Sequence, residues 1–305
     1  MKSMDHRGRS DAKGGLVAGL AAYVAWGVFP LYFHPLSDVP PTELVSWRAV
    51  FTLPVCLVFV FVRGEARALL AALTTPAVLG RLTASALAVA CNWLIYLYAL
   101  ATHHVLAASL GYYINPLLNV VVGVLFLGEK LNRAQWLAAA LACAGTLVLA
   151  SYAPAMIGIA FSMALSFTLY GLIRKFVAVP SVVGLTVETL VLYPLALLVV
   201  WHARSSPAGW AMAAPGWTPW LLAGTGVVTA APLLLFATAA RKLDLSVLGF
   251  IQFVSPTIVF VIGVTLYGET MSRERTICFA LIWCAIAVFA WDMLRRRPRR
   301  AARHA

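Results

Sequence analysis

Apolar residues in this chain run in long blocks that carry few charges and are separated by short clusters of charged, Gly and Pro positions. A helix needs roughly 20 apolar residues to cross a hydrocarbon layer of ~30 Å. Ten blocks reach that length: Gly14–Phe33, Glu43–Val62, Val78–Ala101, Val105–Leu127 and Ala134–Tyr152, then Met156–Ile173, Gly184–His202, Pro219–Ala240, Ser246–Tyr267 and Thr276–Leu294. They use most of the chain, and the links between them are too short for a soluble domain. Lys2, Arg7, Arg9 and Lys13 precede the first block as in a secretory leader. The block is longer than a leader core and is followed by His34-Pro35-Leu36-Ser37-Asp38 with no small-x-small site, so it is expected to stay as the first helix.

Composition agrees with this pattern. Of 305 residues, 62% are apolar and 11% charged, where a soluble domain carries about a quarter charged residues. An ordinary water-soluble enzyme is thereby excluded, and 10 Trp, 10 Tyr and 15 Phe exclude a disordered chain. The net charge of +12 raises the question of a nucleic-acid partner, which the placement of the charges answers. With both termini in the cytoplasm, 19 of the 23 Lys and Arg residues lie on the cytoplasmic side, leaving Arg204, Arg273 and Arg275 outside and Arg48 within a block. This bias is the expected orientation signal of an inner-membrane protein. Residues 1–13 and 295–305 are then cytoplasmic basic ends, and the tail arginines suit stop-transfer and contact with anionic lipid rather than nucleic acid. Cys56, Cys91, Cys143, Cys278 and Cys284 all fall in apolar blocks without a C-x-x-C pair, so neither a disulfide frame nor a metal site is indicated. No cofactor is expected.

The chain also repeats itself. At an offset of 140 positions, Pro116–Ala140 aligns without a gap with Pro256–Ala280, and eight of the 25 positions are identical, including Pro116/Pro256, Gly123/Gly263, Gly128-Glu129/Gly268-Glu269 and Arg133/Arg273. The repeat unit is five helices, residues 14–152 and 153–294. An odd number of crossings inverts the second copy, an architecture used by secondary transporters. The fold class expected is therefore an all-α polytopic membrane protein of ten transmembrane helices in two inverted five-helix repeats.

Polar groups inside the blocks are few, and an ionisable one there faces a cavity or a partner. Glu188 is a candidate for proton coupling or for binding a substrate amine, and equally for a structural role, snorkelling to the nearby cytoplasmic interface or pairing with Arg174 or Lys175. Glu43 and Arg48, about 140° apart on a helix, are expected to pair elsewhere or reach the interface, in structural roles. Tyr112, Asn115 and Asn119 recur at spacings of three and four on the fourth helix, with Gln252 and Ser255 at the repeat-equivalent positions of the first two, and together they suggest a cavity wall. Pro116 and Pro256 free a backbone carbonyl one turn earlier and mark bending points. Tyr23, Trp26, Gly27 and Pro30 form one face of the first helix, and Asn92, Tyr96 and His103 one face of the third. Such aromatic faces suit amphipathic or aromatic solutes. Gly15 and Gly19 have the small-x-x-x-small spacing of a close helix contact, which a homodimer would use.

Several of these segments carry a resemblance. Ala25-Trp26-Gly27, Asn92-Trp93, His103-His104, Ala108-Ser109-Leu110-Gly111-Tyr112, Ile114-Asn115-Pro116-Leu117, Phe126-Leu127-Gly128-Glu129 and Tyr170-Gly171-Leu172-Ile173-Arg174-Lys175 are similar to EamA-type permeases of the drug/metabolite transporter superfamily, in the RarD-like branch. The resemblance runs from about Gly15 to Asp292. It implies a ten-helix bacterial inner-membrane permease for small metabolites, often exporting, with a central cavity between the third, fourth, eighth and ninth helices, and it places Tyr170 among the cavity residues. The function expected is a secondary transporter of a small metabolite, amino acid or amphipathic drug-like solute. A membrane sensor or a membrane-embedded enzyme is the alternative, but G-x-x-x-x-G-K-[ST], H-E-x-x-H and G-x-S-x-G are all missing.

Overall fold

A computed structural model of the chain describes residues 2–102, 104–152, 154–205, 210–268 and 272–301. No strand occurs among the described residues. Among the described residues ten helices are long and apolar enough to cross a membrane: Lys13–Leu36, Pro41–Val62, Pro76–Ala99, Ser109–Leu127, Arg133–Ser151, Pro154–Phe176, Ser181–Ala203, Thr218–Lys242, Leu245–Thr265 and Arg273–Arg295. They are numbered here as the first to tenth spans, and each matches an expected block to within a few residues. The link between the second and third spans holds a short helix, Ala66–Thr74, that the block pattern did not indicate. It buries Ala72 against Leu82, Val177, Val183 and Val187.

Local chemistry sets the boundaries. The second and seventh spans each begin after an extended proline, Pro40 (ψ 131°) and Pro180 (ψ 143°); Pro40 itself precedes Pro41, and the residue before a proline is steered away from helical backbone. The fourth and ninth spans are each followed by a left-handed glycine, Gly128 (φ 65°) and Gly268 (φ 63°), which a residue with a Cβ would adopt only under strain. Asn132 starts the fifth span in a capping box with Gln135 and also donates to Asp292 Oδ2 of the tenth span at 2.7 Å.

The helices pack in reciprocal pairs. The second lies on the seventh, the fourth on the ninth and the fifth on the tenth, each being a helix and its counterpart 140 residues later. The first packs on the eighth and ninth, as the sixth packs on the third and fourth. These are the pairings that exchange of two halves about a two-fold axis would generate. Large apolar side chains such as Val62, Leu125, Phe126 and Leu198 point outward, and Trp136, Trp201, Trp217 and Trp220 are exposed near span ends. A lipid-facing surface with an aromatic belt has this composition.

Two spans are interrupted. The first is helical to Gly27, turns at Val28 and resumes over Phe29–Phe33; the ninth is helical over Leu245–Gln252, turns at Phe253 and resumes over Val254–Thr265. Pro30 and Pro256 lie just beyond the breaks and remove the donors for the Trp26 and Gln252 carbonyls. The fourth span is helical throughout despite Pro116, so the two repeat-related prolines have different local outcomes. The Gly15/Gly19 face, expected to be available to a second copy, is covered by the eighth span of the same chain: a Cβ on either would meet Lys242 and Leu243 or Ala239.

Candidate functional site

A cavity of about 770 Å³ opens between the spans, within the size range of small-molecule sites. It reaches the end of the bundle that carries His34, Ser37 and Tyr267. There the outer end of the first span meets the residues just past the ninth, with the His34 and Tyr267 rings 5.0 Å apart and Tyr267 Oη donating to the Pro30 carbonyl at 3.4 Å. Beyond the floor of the cavity the bundle is packed shut. Tyr23 Oη and Asn119 Nδ2 both donate to Gln252 Oε1, at 3.4 and 3.0 Å, and Trp26 and Phe167 on the cavity wall join Tyr170 and Phe236 in an aromatic cluster in which the last two rings stack 5.6 Å apart.

The closed end is also tied at its rim. Glu129, just past the fourth span, accepts from the Leu245 and Ser246 amides at 2.6 and 2.9 Å and from Ser246 Oγ at 2.6 Å. The N-terminus of the ninth span is thus capped by a carboxylate from the loop that follows the fourth, while the Asp244 side chain at its own cap position makes no such bond. The sequence singled out Glu129 only as a member of the repeated Gly-Glu pair. Its repeat partner Glu269 lies outside the described residues.

Of the residues singled out from sequence, Tyr23, Trp26, Asn92, Tyr96, Tyr112, Asn115, Gln252, Ser255 and Pro256 line the cavity. Asn92 and Asn115 are anchored to the sixth span, Asn92 Nδ2 to the Met163 carbonyl and Asn115 Nδ2 to the Ala164 carbonyl, both at 2.7 Å. Asn119, Pro116, Tyr170 and Glu188 stand away from it. The helical spacing that grouped Tyr112, Asn115 and Asn119 gives direction but not depth: Tyr112 is 50% exposed to the opening, whereas Asn119 is 2% exposed, one turn below the floor. His103 lies outside the described residues. The lining also draws on the first, second and sixth spans, more broadly than the four helices the resemblance implied.

Glu188 lies in a small chamber of about 20 Å³ with Tyr170 and Thr229 on its wall. It pairs with Arg174 at 3.4 Å, the two side chains being 3% and 1% exposed, and accepts from Ser85 Oγ at 2.6 Å. Gly184 leaves the space that the Arg174 guanidinium occupies. Of the two readings of Glu188, the geometry matches the ion pair and offers no direct contact with the large cavity.

Sequence reading missed Arg48. Glu43 turns away from it, accepting from Trp47 Nε1 at 3.1 Å and the Ala211 amide at 3.0 Å. Arg48 lines the cavity instead, its guanidinium carbon 5.3 Å from the Phe33 ring centre, 5.5 Å from Trp93 and 6.0 Å from Phe29, and its Nε donates to Thr229 Oγ1 at 3.1 Å. The signal was available as a cation inside an apolar block.

Comparison with known proteins agrees with this architecture. Residues 13–151 match the EamA-like transporter family. The RarD protein of Salmonella typhimurium is 40% identical over 92% of this chain and 95% of its own. An uncharacterised transporter of Pseudomonas aeruginosa is also 40% identical, over 95% of this chain and 98% of its own. A solved crystal structure superposes with a TM-score of 0.72 over 90% of this chain and 96% of that one at 23% identity, which shows the shared fold. With ten apolar helices around a central cavity and relatives of this identity along nearly its whole length, the chain is a multi-pass bacterial membrane transporter that belongs to the EamA-like family, in its RarD-like branch.

Proposed function

We propose that the protein is a secondary transporter that moves a small metabolite, amino acid or amphipathic drug-like solute by alternating access, exporting it across the inner membrane with both termini in the cytoplasm. The observation that carries this reading is the cavity of about 770 Å³ that reaches one end of the bundle and is sealed toward the other by the Tyr23–Gln252–Asn119 network and the Glu129 cap. A channel needs no such seal, and a receptor needs no second half related to the first. The reciprocal helix pairs support two inverted halves, 14–152 and 153–294, whose similar packing gives the two end states similar energies. The break in the first and ninth spans, with none at the matching points of the sixth and fourth, supports a conformer open on one side. The excess of Lys and Arg on the closed side supports its assignment to the cytoplasm.

No Asp or Glu is among the described residues that line the cavity. We therefore favour exchange or movement down the solute's own gradient over protonation of a carboxylate in the wall. The test is counterflow in reconstituted liposomes, with aromatic amino acids and amphipathic drugs loaded on one side. Saturable movement that ceases when the cavity is blocked at Trp26 is expected; no movement of any solute under any gradient would sink the transporter reading.

A further inference from the structure

We propose that the cavity selects small organic anions, specifically a carboxylate carried on an aromatic or apolar body, and that Arg48 is the group that holds the carboxylate. Its biological meaning rests on the transporter reading, although the binding itself can be measured without it.

The charge inventory of the wall comes first. Arg48 and Arg275 line the cavity, and no acidic residue is found among the described lining residues. A cation held within a membrane span is costly unless a counter-charge meets it. The fold supplies one to its other deep arginine, Arg174, through Glu188 at 3.4 Å, and supplies none among the described residues to Arg48. Glu43, five residues earlier on the same helix, spends its carboxylate on Trp47 and Ala211.

Geometry gives the second argument. The Nε of Arg48 is fixed by Thr229 at 3.1 Å and aromatic rings flank the guanidinium, so its orientation is set while the two terminal nitrogens make no hydrogen bond to the described residues. A planar fork with its donors on offer matches the two oxygens of a carboxylate. Tyr96 and Tyr112, also on the wall, are within electrostatic reach of Arg48 and can add neutral donors to the same anion. The remaining lining is largely apolar and aromatic, which suits the body of such a solute. A cationic solute could stack on these rings but would meet Arg48 with nothing to offset the repulsion.

The experiment uses the full chain in nanodiscs of phosphatidylcholine, which carry no anionic lipid, and titrates four probes of one shape by calorimetry: 2-naphthoate, 2-naphthalenesulfonate, 2-naphthalenemethanol and 2-naphthylmethyltrimethylammonium. The carboxylate is expected to bind at least about tenfold tighter than the alcohol and the ammonium, the scale of one charge-assisted pair. Arg48→Gln is expected to erase that advantage while leaving the alcohol unchanged, and Arg48→Lys to recover part of it. Equal or tighter binding of the alcohol or ammonium, unchanged carboxylate binding by Arg48→Gln, or no binding of any probe would each overturn the proposal. If Arg48→Gln fails to fold, the probe series on the native chain still decides. Counterflow of the permanently charged sulfonate separates the two readings. Anion-selective binding without movement defeats transport and leaves the selectivity standing; movement without anion preference does the reverse.

Discussion

Arg48 and Glu188 stand 140 residues apart, each the eighth residue of a helix that begins after an extended proline, yet one faces the open cavity and the other is sealed against Arg174. Equivalent positions in the two halves have been given opposite charges and opposite surroundings. Thr229 connects them, since it accepts from Arg48 and also lines the chamber that holds Glu188. A solute that displaced Arg48 from Thr229 would therefore alter the wall of that chamber.

The Arg174–Glu188 pair should behave as a buried ion pair whose members are each costly alone. Glu188→Gln or Arg174→Met is expected to lower stability by about 3–5 kcal/mol, since each leaves its partner uncompensated. The double change Arg174→Met with Glu188→Leu should regain most of the loss. Thermal unfolding of the detergent-solubilised protein checks this, and a double variant no better than the worse single one would show that the pair is not a unit.

Gly184 has no room for a side chain, because a Cβ there falls on the Arg174 guanidinium. Gly184→Ala is expected to cost roughly 1–3 kcal/mol by overpacking. In the Arg174→Met background the same substitution should cost less. A melting temperature for Gly184→Ala within error of the native chain would contradict the buried position of Arg174.

Glu129→Ala removes three hydrogen bonds at the start of the ninth span and is expected to cost about 1–2 kcal/mol. It should also loosen the closed end. In a background without the native cysteines, Ser255→Cys should react faster with an impermeant thiol reagent added from that side once Glu129 is replaced. Unaltered labelling would leave the cap as a stability element only.

Pro256→Ala restores a backbone donor beside the break in the ninth span, whereas Pro116→Ala does so in a helix that is already continuous. Solute exchange in liposomes is expected to slow several-fold in the first variant and much less in the second. Equal effects would mean that the break is not what distinguishes them.

The ten spans were legible because a membrane helix is recognised by composition over some 20 residues, and no tertiary detail is needed. Much of the wall was legible too: Tyr23, Trp26, Asn92 and Tyr96 share helical faces, and the structure places all four on the cavity. Periodicity says which way a side chain points and nothing about how far along the helix the cavity extends, which is why Asn119 was grouped with Tyr112. It also cannot say which of two neighbouring charges finds a partner. Glu43 and Arg48 read alike in the sequence, but Trp47 and the amide of Ala211, 168 residues later, satisfy one while the other stands on the cavity wall.

The breaks at Val28 and Phe253 have a consequence for the energy of the cycle. Each forfeits backbone hydrogen bonds in the first and ninth spans, while the equivalent turns of the sixth and fourth are intact. If turning the molecule over heals one pair and opens the other, the count of satisfied amides changes little, and neither end state is favoured by its backbone. The fourth span already lacks the donor at Pro116 that such an opening would need to release. Amide protection would then migrate between halves as the protein works, and the state of the transporter would be legible from which helices exchange their protons.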